Sequence, residues 1–182
     1  MSDLLAQWQA EEAALRSRMS LPPGPLPVSL ATSRPGIDVL RDMIDGRLPS
    51  PPIAHALQYL LVHVAPGEAV FQGRPSADFL NPLGSLHGGW YATLLDSAVG
   101  CAVHTTMRPG RAYTTLEFKI NLVRAIGPDV QLVRAEGRTI HVGRQTATAE
   151  GRLIGPDGKL YAHASTTCLI FDLPTTSTSP TR

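Results

Sequence analysis

The sequence predicts one α+β domain in which a single long helix lies against a single antiparallel sheet. Three observations carry this reading. Residues 87–107 are apolar almost throughout, and between Gly88 and Met107 the only formally charged side chain is Asp96. Downstream the period changes: in residues 114–124, Leu116, Phe118, Ile120 and Leu122 alternate with Thr115, Glu117, Lys119 and Asn121, the pattern of a strand with one buried face. Finally, 182 residues, 43% hydrophobic and 17% charged, suffice for one buried core and are too few to favour two. A lone amphiphilic sheet and a lone apolar helix are stable only when each covers the other.

The elements follow in order. Leu4, Leu5, Trp8, Leu15 and Met19 recur at helical spacing behind Ser2, a suitable N-cap, so residues 3–19 are expected to form an amphipathic helix that docks its apolar stripe. Residues 21–36 are proline-rich and read as an extended connector, followed by a short helix over 37–46 that the proline-rich residues 47–52 end. The stretch 1–50 therefore reads as a helical extension appended to a domain spanning 51–173. Within that domain, residues 58–75 give two strands around Pro66-Gly67. The long helix comes next, with Ala92, Ala98, Gly100 and Ala102 small enough to let a sheet approach. Strands are then expected within 114–124, 129–142, 145–154 and 159–173, the last three as a meander with a turn at Gly155-Pro156-Asp157-Gly158. The polar tail 174–182 is expected to be disordered.

Charge and composition exclude several classes. Sixteen basic residues against fifteen acidic ones, with no basic block, leave no footprint for nucleic acid or an anionic membrane surface. Asp3, Glu11 and Glu12 interrupt the start where a secretion signal needs an apolar run, and the longest uncharged run, 48–67, contains four prolines and is no membrane span. A cytoplasmic protein is the expectation. Cys101 and Cys168 lack metal-ligand spacing and sit in apolar segments, where cysteine acts as a small hydrophobe.

The chemistry concentrates between Asn81 and Asp96. An unpaired carboxylate among apolar neighbours costs several kcal/mol or titrates to neutral. Asp96 is therefore either a structural residue satisfied by backbone or hydroxyl donors or a catalytic carboxylate at a cleft. His87-Gly88-Gly89 opens the helix, where free N–H groups and the positive dipole end suit a developing oxyanion, or where a flexible turn is simply needed. Gly88 and Asp96 lie eight residues apart, ~12 Å along one helix at ~1.5 Å per residue, so they cannot serve one carbonyl from the same chain. If both act at one centre, Asp96 comes from a second chain related by a two-fold axis, and a dimer with two shared sites follows.

Together the Asn81–Gly89 stretch, the Asp nine residues after His87, the strand at 114–124 and the stretch Glu136–Arg144 resemble the hot dog fold thioesterases, specifically the PaaI-like branch associated with phenylacetate degradation. The resemblance covers residues 52–173. It implies a helix wrapped by a curved antiparallel sheet, subunits that join sheets into homodimers and often dimers of dimers, and hydrolysis of acyl-CoA thioesters without a metal or bound cofactor. It implies Asp96 as nucleophile or base that activates water, the Gly88 N–H as carbonyl polariser, Asn81 as an assistant at that carbonyl or a holder of water, and His87 as support for the loop or the leaving thiol. A hydroxyl after the helix positions water in related enzymes; Thr115 is preferred over Thr114 because it shares the polar parity of Glu117. Gly89, Gly143 and Arg144, with Arg124 as a weaker candidate, are the expected substrate contacts, the arginines for the CoA phosphates. Trp90, Tyr91 and the apolar helix allow an aryl or medium-chain acyl group. The rivals are a non-catalytic acyl-CoA-binding protein of the same fold and an enoyl-CoA hydratase-type enzyme, the latter without the His-containing stretch it requires.

Overall fold

The computed structural model describes residues 3–173, so the tail expected to be disordered, 174–182, lies outside the described residues. Six antiparallel strands form one sheet in the order β1-β2-β4-β5-β6-β3, where β1 is Tyr59–Ala65, β2 Glu68–Gly73, β3 Arg111–Leu122, β4 Val133–Val142, β5 Thr146–Ile154 and β6 Leu160–Asp172. The expected meander is β4-β5-β6, each paired with the next in sequence. β3 instead crosses to the far edge and pairs with β6. Four helices, α1 Asp3–Arg16, α2 Val28–Ser33, α3 Gly36–Ile44 and α4 Pro52–Ala56, precede the sheet, and α5, Gly88–His104, lies across its inner face in contact with all six strands. This is the hot dog arrangement.

α5 can lie close because the sheet beneath it lacks side chains where the two backbones meet. A Cβ on Gly137 in β4 would stand 2.3 Å from the Ala98 carbonyl oxygen and 2.7 Å from the Val99 nitrogen. Gly151, the register partner of Gly137 on β5, would collide with Val99 at 2.8 Å, and Gly73 on β2 with Leu94 at 2.4 Å. Leu94, Leu95, Ala98, Val99, Ala102 and Val103 are wholly buried on that face. Thr105 ends the helix: its hydroxyl donates to the Ala102 carbonyl at 2.6 Å and accepts from the Gly67 N–H at 2.8 Å.

The proline-rich connector is not uniformly extended. Residues 28–33 wind into α2 between Pro27 and Pro35, whose extended φ/ψ bound the turn on either side. α4 begins on Pro52, at a position where a missing N–H costs no helical bond. The alternation assigned to β3 also needs correcting. A bulge between Thr115 and Glu117 inserts Leu116 as an extra residue, so the alternation read from the sequence holds from Glu117 onward and is inverted before it. Thr115 pairs with buried Cys168 and so faces the helix, Phe118 pairs with buried Thr166 and does the same, while Leu116 is 60% exposed.

α1 docks on the reverse face of the sheet. Leu5 and Trp8 bury against Leu132, and the Arg134 guanidinium stacks over the Trp8 ring at 4.4 Å while pairing with Glu11. Glu12 is buried: its carboxylate accepts from Arg16 at 2.7 Å, Arg74 at 2.8 Å and Gln72 at 2.9 Å. Burial by itself raises its pKa, but these donors outweigh that and hold the carboxyl below the ordinary glutamate range.

Gly137→Ala is expected to destabilise the fold by at least about 3 kcal/mol, because the obstructing atoms are helix backbone that cannot rotate aside. Gly127→Ala, with no atom in the way, should stay within about 0.5 kcal/mol of the parent. Urea midpoints of the two variants check this; similar values would mean that α5 is not seated on the glycines.

Candidate active site

Helical geometry decides where Asp96 points. With the sheet-facing row at 94, 95, 98, 99 and 102, the residues about half a turn away, Thr93, Asp96, Ser97 and Cys101, fall on the side that the sheet leaves open. Asp96 is therefore exposed in the single chain rather than enclosed, and α5 is not apolar all round as its composition suggests. It opens into a cavity of about 230 Å³ that Thr115 and Tyr113 of β3 also line. The neighbouring walls withdraw enough water to raise the Asp96 carboxyl above its ordinary range. Among the described residues no donor reaches that carboxylate, so the structural alternative, an Asp satisfied by backbone or hydroxyl donors, finds no such donors here.

The groups around Asp96 are apolar or neutral. Burial, with the Asp96 charge adding to it, pushes the Cys101 thiol up to about 12, and burial raises Cys168 as well, so neither sulfur is ionised near neutrality. Thr115 lies within hydrogen-bonding reach of Cys168. Tyr113 packs its hydroxyl 3.0 Å from where a Cβ on Gly100 would stand, and burial holds its pKa well above that of a free phenol. Among the described residues the Tyr113 hydroxyl has no hydrogen-bond partner.

The start of α5 is built by the loop before it. Asn81 organises that loop: its Oδ1 accepts from the Leu83 N–H at 2.9 Å and the Ser85 N–H at 3.1 Å, which leaves its side-chain NH2 without a partner among the described residues. A bridge between Leu80 and Leu86 and a bond from the His87 N–H to the Phe79 carbonyl at 2.8 Å close the loop onto the helix. His87 is the N-cap, and its Nδ1 accepts from the Gly89 N–H at 2.8 Å. The Gly89 N–H is thus taken, contrary to the expectation of several free N–H groups, because an N-cap side chain satisfies one of the helix's orphan donors. The Gly88 N–H has no acceptor among the described residues and stays available.

The expected site residues separate into three places in one chain. Asp96 and Thr115 share the cavity. Asn81, His87, Gly88 and Gly89 sit at the N-terminal end of α5 beside the end of β3, where a Cβ on Gly88 would meet Leu122 at 2.9 Å. Arg124 follows at that same end, its N–H bonded to the Tyr161 carbonyl at 3.1 Å. Gly143 and Arg144 lie at the opposite end: Gly143 borders a hollow with Met107 and Arg111, and Arg111 donates to the Arg144 carbonyl at 2.6 Å. Thr115, and not Thr114, lines the cavity, and it turns inward through the bulge rather than through shared parity with Glu117. Sequence reasoning missed Tyr113, which shares the inward face of Thr115 two residues before it, and missed that Met43 of the extension and Pro51 and Ile53 at the start of the domain reach the same cavity.

The family model described as the thioesterase superfamily matches residues 83–162, a span that contains Gly88, Asp96, Thr115, Arg124, Gly143 and Arg144. Among solved structures, the chain is similar to an Asn-to-Asp variant of the phenylacetic acid degradation protein PaaI from Thermus thermophilus, at 32% identity over 65% of this chain and 97% of that one, with a TM-score of 0.59. It is also similar to a putative thioesterase, a phenylacetic acid degradation-related protein, from Ralstonia eutropha, at 29% identity over 71% and 98% of the two chains, TM-score 0.65. A conserved protein from Pseudomonas aeruginosa aligns at 28% identity over 66% and 94%, TM-score 0.62. No curated protein matches the sequence.

Because folding raises the pKa of Asp96, the group favours the folded state at pH values below its unfolded pKa, and that contribution is lost as pH rises through the folded value. Asp96→Asn should accordingly stabilise the protein more at pH 7 than at pH 3, read from thermal midpoints at both. A side-chain carbon NMR titration should place the Asp96 carboxyl above the ordinary aspartate range; an ordinary or lowered value contradicts the cavity's effect.

Proposed function

The chain belongs to the thioesterase superfamily, in its PaaI-like branch, and is an acyl-CoA thioesterase; from that premise we propose that it hydrolyses aryl- or medium-chain acyl-CoA at two sites, each shared between the subunits of a homodimer. The observation that carries this reading is a pair of complementary vacancies in the hydrogen bonding. Among the described residues Asp96 has a carboxylate without donors and Gly88 an N–H without an acceptor, yet eight helical residues, ~12 Å, keep them apart in one chain. A second chain with its α5 antiparallel to the first brings the Gly88 of one to the Asp96 of the other.

The edge of the sheet supports such pairing. β3 is twelve residues long, pairs among the described residues only on its β6 side, and carries Leu116, Leu122 and the adjoining Val123 more than half exposed. A long, apolar, open edge invites a strand from another chain. A dimer of dimers, a cytoplasmic location and catalysis without metal or bound cofactor belong to the same proposal.

In the reaction, Asp96 accepts a proton from a water molecule held by the Thr115 hydroxyl, and the oxygen attacks the thioester carbon. The carbonyl oxygen gains the negative charge and is stabilised by the partner chain's Gly88 N–H at the positive end of α5, with the free amide NH2 of Asn81 as a second donor. Collapse of this intermediate breaks the C–S bond, and the departing thiolate recovers the proton. Direct attack by the Asp96 carboxylate, forming an anhydride that water then opens, uses the same geometry. His87, as the N-cap, holds Gly88 in place. Arg144 with Gly143 and Arg124 bind the phosphates of CoA.

Asp96→Asn is expected to keep the fold and lower kcat at least ~100-fold, on the scale of a lost general base, measured by release of free thiol from phenylacetyl-CoA and octanoyl-CoA. Near-normal turnover would remove Asp96 from the chemistry.

The shared site is tested by mixing two inactive chains. Gly88→Pro deletes the N–H at the first position of α5, where proline is tolerated, and His87 already has the extended conformation, φ −65° and ψ 134°, that a following proline requires. Co-expressed with Asp96→Asn, it should restore about a quarter of the wild-type sites, since random pairing makes about half the dimers mixed and each holds one intact site. No recovery in dimers shown by differential tags to be mixed means that each site lies within one chain.

A further inference from the structure

Five side chains from outside the thioesterase superfamily match line the same cavity as Asp96: Tyr59 and Phe71 on β1 and β2, and, before the sheet, Met43 at the end of α3, Pro51 before α4 and Ile53 on α4. From this geometry we infer that residues 43–53, the end of the N-terminal extension and the first residues of the domain, form the wall that selects the acyl group, a reading that rests on the proposed function. This segment is then a specificity element of the enzyme.

The size of the chamber supports the assignment. A volume of about 230 Å³ is below the ~300 Å³ at which pockets for drug-sized ligands begin, so the CoA portion must run outside it. A space of that size suits an aryl or medium-chain acyl group rather than a whole CoA ester. Its lining is apolar apart from the reacting end: Met43, Ile53, Phe71 and the ring of Tyr59 offer dispersion contacts to a carbon chain. Ile53 remains 52% exposed although it borders the chamber, as expected of a side chain whose cover is the substrate itself.

The wall is held rigidly, which selection by shape requires. Gly36 starts α3 in direct contact with α5: its N–H donates to the Met107 carbonyl at 3.0 Å, and a Cβ there would stand 2.0 Å from the His104 carbonyl oxygen. Asp42 pairs with both Arg34 and Arg47, tying together the two ends of the α3 segment. Pro51 and Pro52 fix the entry to α4, with Pro51 at φ −61°. Met43 and Ile53 therefore stand in set positions before any ligand arrives, which lowers the cost of binding the fitting acyl group.

The test separates acyl selection from turnover. Ethyl, butyl, hexyl, octyl and dodecyl CoA thioethers, which cannot be hydrolysed, are titrated calorimetrically into wild type, Ile53→Trp and Ile53→Ala. Ile53 is half exposed, so both variants should keep the wild-type thermal midpoint, and Met43→Val provides a third, buried change. In the wild type, affinity should rise about fourfold per methylene until the chamber is full, near hexyl to octyl, and then level off. Ile53→Trp should lower the octyl-to-ethyl affinity ratio at least tenfold, and Ile53→Ala and Met43→Val should move the plateau toward longer chains. A wild type with no dependence on chain length, or folded variants whose ratios stay within about twofold of wild type, would overturn the inference. If the thioethers behave as expected but no acyl-CoA is cleaved, the thioesterase reading fails while the acyl wall stands.

Discussion

The seating of α5 on Gly73, Gly137 and Gly151 is the constraint on which the rest of the structure depends. With helix backbone against sheet backbone, the helix can neither slide nor roll without driving Ala98 or Val99 into β4. Its orientation then follows from the helical repeat: a row of leucines, valines and alanines points down, and Asp96 points away from the sheet. The close approach also brings the ends of the helix against the strand ends, which sets Gly88 beside Leu122 and Met107 beside Gly143.

Against this background the polar groups divide into two kinds. Where the chain buries polarity for structure, it satisfies it: Glu12 has three donors, Gln72 bonds Trp8, Glu12 and Arg134, Thr105 both donates and accepts, and the Thr166 hydroxyl donates to the Glu117 carbonyl. The Asp96 carboxylate, the Gly88 N–H and the Tyr113 hydroxyl are left open, all along one side of α5 or its N-terminal end. Asp96 is exposed and Gly88 and Tyr113 are half-buried, so these open groups are free to meet something other than the chain itself.

The legible parts of the fold were those governed by period and by turn chemistry. Alternation exposed the strands, Pro66-Gly67 and Gly155–Gly158 their turns, and the apolar run α5. The β3 bulge was invisible, because one inserted residue leaves the alternation of TTLEFKINLVR unbroken on paper while inverting it in space. The pairing of β3 with β6 was also hidden, since strand order depends on contacts remote in sequence. At the site, Asp96 stood out because it is the single charge in an apolar helix. Capping of Gly89 by His87 could not be read, because whether a histidine nitrogen turns inward is a matter of rotamer. The contribution of Met43 and Ile53 was missed for a different reason: a short helix and the residues just past its proline-rich end show nothing of their contacts in the sequence.

The docking of α1 has a consequence for the order in which the molecule forms during synthesis. Its partners are remote: Glu12 bonds Gln72, and Glu11 and Trp8 meet Arg134, more than a hundred residues later. A fourteen-residue helix on its own is marginal in water, so α1 gains its stability only from the sheet. At ~5–20 residues per second, β4 emerges on the order of ten seconds after α1, and throughout that interval Leu5, Trp8 and Leu15 face solvent. An element made well before the sheet is therefore among the last to settle, and an indole against an arginine on the back of the sheet marks the moment when β2 and β4 have already paired.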